Sequence, residues 1–379
     1  MKHFNFRLPF VVFSISLFVV LLALYSCRKT EYTHVNNTSE SYPNNPQLPP
    51  QTYVYPNGDN NLATLGRVLF YDKNLSLDKS VACASCHQQA YGFADNKAFS
   101  TGFGGLQTPR NAHTIINTNN SRFWDGKVQP QTSGYENQPQ TLSVPFQSHV
   151  ELNMTDMSVL SNRLSALPYY QYLTQKAFGN SFLSEENIER ALGSFMDNIT
   201  SSNSKYDQAF PTIAGVQPTA VFTAQELNGK AIFDQKCATC HSPSNGFGGS
   251  MDQFEDIGLD ASYKDLGRGT ITSFSSDNGK FQVPSLKNIS LTAPYMHDGR
   301  FNTLSEVVDF FSNNINSSPN LSSAFTLHPY FNGTSYSTGG TAVPMGFTPT
   351  EKSELVAFLN TLSDQGQVSD VRYSNPFKH

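Results

Sequence analysis

Three features of the sequence predict a mainly α-helical chain built from two like halves. Capping boxes recur ahead of apolar-periodic segments, and runs that alternate with period two are few. The third feature is a pattern that occurs twice. Its first copy reads Gly66-Arg67-Val68-Leu69-Phe70, then Cys83-Ala84-Ser85-Cys86-His87, then Gly92-Phe93. Its second reads Gly229-Lys230-Ala231-Ile232-Phe233, Cys237-Ala238-Thr239-Cys240-His241 and Gly246-Phe247. The Gly-Phe pair follows each histidine at the same distance, a coincidence that points to duplication.

Each element has a local reason. The Gly-basic-aliphatic-aliphatic-Phe stretches form a turn or so of helix ahead of each motif. Residues 158–177 and 184–200 have helical periodicity, with Pro168 bending or splitting the first of them. Thr223-Ala-Gln-Glu226 is a capping box that opens the helix running into the second motif. Thr303-Leu-Ser-Glu306 opens another helix. Thr348-Pro-Thr-Glu351 opens a third, with Pro349 at the favoured first helical position. The division between the halves is expected in the loop near Pro211–Pro218.

The chain has 379 residues and a formal charge of −5. At about 150 residues per domain that length suits two domains with additional segments. Charged residues make up 15%, below the ~25% of an average soluble domain. No basic run lies outside the N-terminus, so nothing in the charge points to nucleic acid.

Lys2 and Arg7 followed by the apolar run Leu8–Leu24 form a secretory signal. A retained anchor helix competes, since the run is at the lower edge of a bilayer span. Leu24-Tyr25-Ser26-Cys27 resembles the bacterial lipobox, in which the thiol is lipidated and becomes the mature N-terminus. Residues 28–60 have no apolar periodicity and are rich in Pro, Asn and Ser, as in a disordered tether. The expected organisation is therefore a signal peptide over 1–26 and a lipidated Cys27 with its tether over 27–60. Two haem domains follow over 61–214 and 215–365, then a tail over 366–379.

A CxxCH motif supplies two thiols for thioether bonds to haem and a histidine for its iron. A zinc ribbon also uses paired CxxC motifs, but here both pairs are followed by histidine and the chain carries an export signal. Cys83, Cys86, Cys237 and Cys240 thus predict two covalently attached c-type haems, with His87 and His241 as proximal ligands. Cys27 is the remaining cysteine of five, so no thiol is left for a disulfide. Two cytochrome c-like domains follow from this. Reducing hydrogen peroxide to water takes two electrons, and one haem iron supplies one by passing between ferrous and ferric. A second haem supplies the other, which is a physical reason for two in one chain.

Beyond both CxxCH motifs stand TPRNAHTIIN (108–117), RFWDG (122–126), HVEL (149–152) and LTAPYMHDGRFNTLSEVVDFF (291–311). Over residues 60–365 the chain resembles the bacterial di-haem cytochrome c peroxidases and the related MauG. The resemblance implies that the N-terminal haem meets peroxide and that the C-terminal haem takes electrons from a small cytochrome c or copper protein. It implies that Trp124, the single tryptophan, lies between the haems as a relay; core packing is the alternative. Glu151 matches the carboxylate over the peroxide site, and Gln140 lies near the family's peroxide-site glutamine, one position out of register. An interdomain calcium would be held by the Asn111 side chain and the carbonyls of Thr292 and Pro294; Asn111 could instead cap a turn. Family members are often dimers, which makes a second copy a candidate partner.

Two positions depart from the family pattern. Phe103 stands where many members have a distal histidine on the N-terminal haem, which predicts an open or water-bound site. His113, where the family usually has proline, is a candidate substitute ligand or else a satisfied or exposed histidine. Phe311 stands at the distal ligand position of the C-terminal haem. Met296 and Met345 are the candidates there, or the position is empty, against an ordinary role for each methionine as core filler. His297 reads as structural or as a contact to a haem propionate. Three functions follow: a peroxidase, a MauG-like oxidase of an organic or protein substrate, or a di-haem electron carrier. All three belong outside the cytoplasm, in the periplasm.

Overall fold

The computed structural model describes residues 46, 52–117, 123–128, 139–212, 216–250, 253–326 and 341–377. The first half contains α1 (Asn60–Tyr71), α2 (Pro139–Gln147), α3 (Met157–Ser165), α4 (Pro168–Phe178) and α5 (Glu185–Asp197). The second contains α6 (Lys205–Ala209), α7 (Ala224–Lys236), α8 (Gly269–Thr272), α9 (Leu304–Asn313) and α10 (Pro349–Asn360). Among the described residues the sheet is one antiparallel pair of two-residue strands, β1 (Phe254–Glu255) and β2 (Phe281–Gln282). All three expected capping boxes form, at Thr223, Thr303 and Thr348. Pro168 splits rather than bends its segment, because it takes the first position of α4, where its missing N–H costs nothing.

The repeated glycine has a packing reason. α1 crosses α5 so closely that a Cβ at Gly66 would lie 1.8 Å from the Ala191 carbonyl oxygen. In the second half α7 crosses α10, and a Cβ at Gly229 would lie 1.9 Å from the Glu354 carbonyl oxygen. Each glycine thus lets two backbones meet. The repeated phenylalanines fill the space beside each crossing. Phe70 lies 5.3 Å from Phe195 and 5.9 Å from Phe93; Phe233 lies 5.0 Å from Phe358 and 5.7 Å from Phe247. Each half has its own apolar core, and the second carries a satellite around Leu259, Phe310, Ile315, Leu321 and Phe325.

The halves exchange closing segments. After α5 the chain enters α6, where Tyr206 packs into the second core, 4.7 Å from Phe247. After α10 it returns to the first core, where Tyr373 lies 6.3 Å from Phe93 and 6.4 Å from Phe195. The segment expected as a tail over 366–379 is therefore structural. Tyr71 Oη donates to the Tyr373 carbonyl at 2.6 Å and Arg67 Nε to the Ser374 carbonyl at 2.8 Å. Phe377 is buried and pairs with Pro46.

The tether expected over 27–60 also ends too late. Tyr55 is a core residue whose hydroxyl donates to the Arg372 carbonyl, and Asn57 exchanges hydrogen bonds with Asn198. Both corrections have one cause: these segments lack internal periodicity and take their order from partners far away in the chain. The segment expected as a signal peptide and Cys27 lie outside the described residues.

Candidate functional site

The two CxxCH motifs are built alike. In each, the histidine N–H bonds back to the first cysteine carbonyl at 2.9 Å, closing a tight turn. The Gly-Phe pair that follows is left-handed, with φ of 60° and 56° at Gly92 and Phe93, and 65° and 61° at Gly246 and Phe247. That turn aims the phenylalanine carbonyl at the histidine. His87 Nδ1 lies 3.1 Å from Phe93 O; His241 Nδ1 lies 3.0 Å from Phe247 O and 3.1 Å from Pro284 O. A carbonyl only accepts, so Nδ1 must carry the proton and Nε2 keeps a free lone pair. Burial lowers both histidine pKa values, which keeps the rings neutral. These are the properties of an iron-ligating imidazole.

Burial also pushes the Cys83 and Cys237 thiols up to about 12 and those of Cys86 and Cys240 up to about 11. Cys83 packs on the first core and Cys237 on the second, so the four thiols do not converge as a zinc ribbon requires.

Beside the first motif, the loop carrying Phe103 is stitched to the segment carrying Glu151. Phe103 N–H points between the carbonyls of Val150 and Glu151, 3.2 Å from each. A Cβ at Gly102 would lie 1.9 Å from the Val150 oxygen, so glycine is required for this approach. The Glu151 carboxylate is close enough to act electrostatically on Cys83, Cys86 and His87. Gln140 falls in the opening turn of α2; its side chain lies outside the described residues.

Between the motifs stands a wall made of His113, Trp124 and His297. The His113 and Trp124 rings meet edge to face at 4.1 Å, and Trp124 lies 6.4 Å from His297. Trp124 Nε1 donates to the Asn111 carbonyl at 3.0 Å, and Asn111 N–H donates to the His297 carbonyl at 2.7 Å. His297 stacks on Phe281 at 3.8 Å. The His113 backbone faces His87, as the Pro284 carbonyl faces His241. His113 is therefore on the proximal side of the first motif, and a role as substitute distal ligand is excluded. Its ring, held neutral by burial with a pKa lowered to about 4, packs edge to face on Trp124.

Arg110 holds this wall to the second half and was not singled out from sequence. Its guanidinium pairs with Asp125, next to Trp124, and grips Asp265 with two bonds of 2.7 and 2.9 Å. TPRN gave no sign of these partners, which are remote in the chain.

A cavity of ≈ 710 Å³ opens onto the second motif and reaches the wall from the other side. Cys237, Cys240 and His241 line it, together with Met296, Phe311 and Met345. Asn111, Thr292 and Pro294 also border it, with Asn111 Nδ2 donating to the Lys97 carbonyl.

Residues 60–212 match the family described as di-haem cytochrome c peroxidase. The chain is 31% identical over 305 residues to methylamine utilization protein MauG of Methylorubrum extorquens, covering 79% of this chain and 77% of that one. It is 28% identical over 340 residues to cytochrome-c peroxidase IdrP2 of Denitromonas iodatirespirans, covering 81% and 83%. A solved MauG-like protein associated with microbial copper homeostasis superposes with a TM-score of 0.67 at 28% identity, over 90% of this chain and 99% of that one. The chain belongs to the family of di-haem cytochrome c peroxidases and MauG-like proteins.

Proposed function

We propose that this protein reduces hydrogen peroxide to water at a haem on the first motif, supplied with electrons through a haem on the second. Cys83, Cys86 and His87 would hold the first, and Cys237, Cys240 and His241 the second. The bound groups supply reversible one-electron storage and, at an open face, a place for an oxidant. The observation that carries the reading is the junction of Phe103 with Glu151. Phenylalanine cannot occupy a coordination position, and the Glu151 carboxylate, close enough to act on Cys83, Cys86 and His87, would move a proton to the departing oxygen, a contribution of ~10²–10⁴-fold. Trp124 and His113 fill the space between the motifs and suit a relay. The donor would be a small cytochrome c or copper protein, outside the cytoplasm, with Cys27 lipidated at a membrane surface. Asn111, Thr292 and Pro294 offer oxygen atoms to a calcium ion, which with waters would brace the junction of the halves. A homodimer remains part of the proposal through family resemblance alone.

Stopped-flow mixing of the oxidised and half-reduced holoprotein with peroxide tests this. Rapid turnover with a reduced donor is expected. The Phe103 position also favours the MauG-like reading, in which the fully oxidised protein reacts and a persistent spectral change follows. Inertness in every redox state would overturn both and leave the electron carrier. An electron paramagnetic resonance spectrum of the oxidised protein should contain high-spin iron; purely low-spin iron would remove the open site.

A further inference from the structure

The family position for the distal ligand of the second haem is held by Phe311, which has no donor atom. Its ring is committed to aromatic packing, 5.0 Å from Phe310 and 5.8 Å from Phe325. The backbone at that position is engaged from elsewhere. Met345 N–H donates to the Phe311 carbonyl at 3.0 Å, and Gly346 N–H to the Ser312 carbonyl at 2.9 Å. Val343 N–H donates to Phe325 at 2.8 Å, so three bonds lay this segment along the end of α9 and its neighbour. Met345 thus enters the cavity one hydrogen bond away from the missing ligand.

Met296 lines the same cavity, but its packing differs. Among the described residues it packs on the satellite cluster, and its backbone is closed in a left-handed turn at φ 73°, beside His297, whose ring is stacked on Phe281. Met345 packs on both the satellite cluster and the second core, the one that holds Cys237 and Phe233. It therefore bridges the two apolar walls between which the cavity lies.

We infer that Met345 would supply the second protein ligand to the iron of a haem on the second motif, its thioether sulfur offering a lone pair in place of the family ligand lost at Phe311. This rests on the second motif holding a haem, as proposed above. A thioether opposite histidine raises the reduction potential, as an electron-entry haem requires. No electron or proton is transferred in forming the bond.

The test uses oxidised holoprotein with haem counted per chain in every sample. Wild type should have the far-red methionine–iron charge-transfer band and a high-potential couple. Met345→Leu should lose the band, gain high-spin iron and lower that potential, whereas Met296→Leu should retain the wild-type band, spin state and potential. Met345→His should restore low-spin iron without the band, showing that the site still folds. A band that survives Met345→Leu, or that disappears in Met296→Leu instead, overturns the ligand assignment alone. Fewer than two haems per chain in wild type overturns it together with the reading beneath it.

Discussion

The two halves share a frame and differ in what surrounds their histidines. Both have a glycine helix crossing, a phenylalanine trio and a left-handed Gly-Phe turn that holds a neutral imidazole. Beside the first, a glutamate and a phenylalanine are locked backbone to backbone. Beside the second, Phe311, Met296 and Met345 line the cavity. A charged acid–base group suits substrate chemistry, and an apolar thioether wall suits electron storage. Duplication accounts for the shared frame; divergence at a few loop positions would underlie the division of labour proposed above.

The comparison is most sharply tested at the carboxylates. Glu151→Gln should lower peroxide turnover by ~10²–10⁴-fold with haem content unchanged. Glu255, which lines the cavity of the second motif, is the control: Glu255→Gln should change turnover little. Equal losses from both would mean that the halves do not divide the work as proposed.

The exchanged tyrosines come next. Tyr373 is 1% exposed in the first core, so Tyr373→Ala should destabilise the holoprotein by about 3–5 kcal/mol, the range for truncating a buried aromatic. Tyr206 is only half-buried, and Tyr206→Ala should cost less; denaturant titration of both variants checks the order. A Tyr373 variant of wild-type stability would make the C-terminal segment a passive tail after all.

Gly66→Ala and Gly229→Ala should each destabilise by about 1–3 kcal/mol, because each new methyl meets a backbone carbonyl. Similar losses in the same titration would confirm that the two crossings are equivalent, and a large inequality would break the equivalence.

The smallest effect concerns acid stability. His113 has a folded pKa of about 4, below its ordinary 6.5, because burial disfavours the charged ring. The unfolded chain therefore binds a proton first as pH falls, and the histidine's contribution to stability is present above pH 6.5 and lost progressively towards pH 4. His113→Phe should flatten the stability profile in that window, measured as the denaturation midpoint against pH. An unchanged slope would place the ring in a more solvated setting than the wall implies.

Much of this was legible locally. Capping boxes, the proline at position 168 and the CxxCH spacing act within a few residues, so they can be read without knowing the fold. The resemblance could single out Glu151, Trp124 and Asn111 because the motifs that carry them are short and distinctive. It could not place Arg110 against Asp265, or turn His113 to the proximal side. Those positions depend on side chains and carbonyls that approach only after the halves pack.

By itself the sequence determined the duplication, the two CxxCH motifs, the starts of three capped helices and the absence of a ligand atom at Phe103 and Phe311. Tertiary structure alone decided that Tyr373 closes the first core, that Glu151 stands beside Phe103 and that Met345 arrives beside Phe311. The reason is physical. Caps and covalent spacing are short-range along the chain, whereas a cavity wall is assembled from segments whose only connection is that they pack on one another.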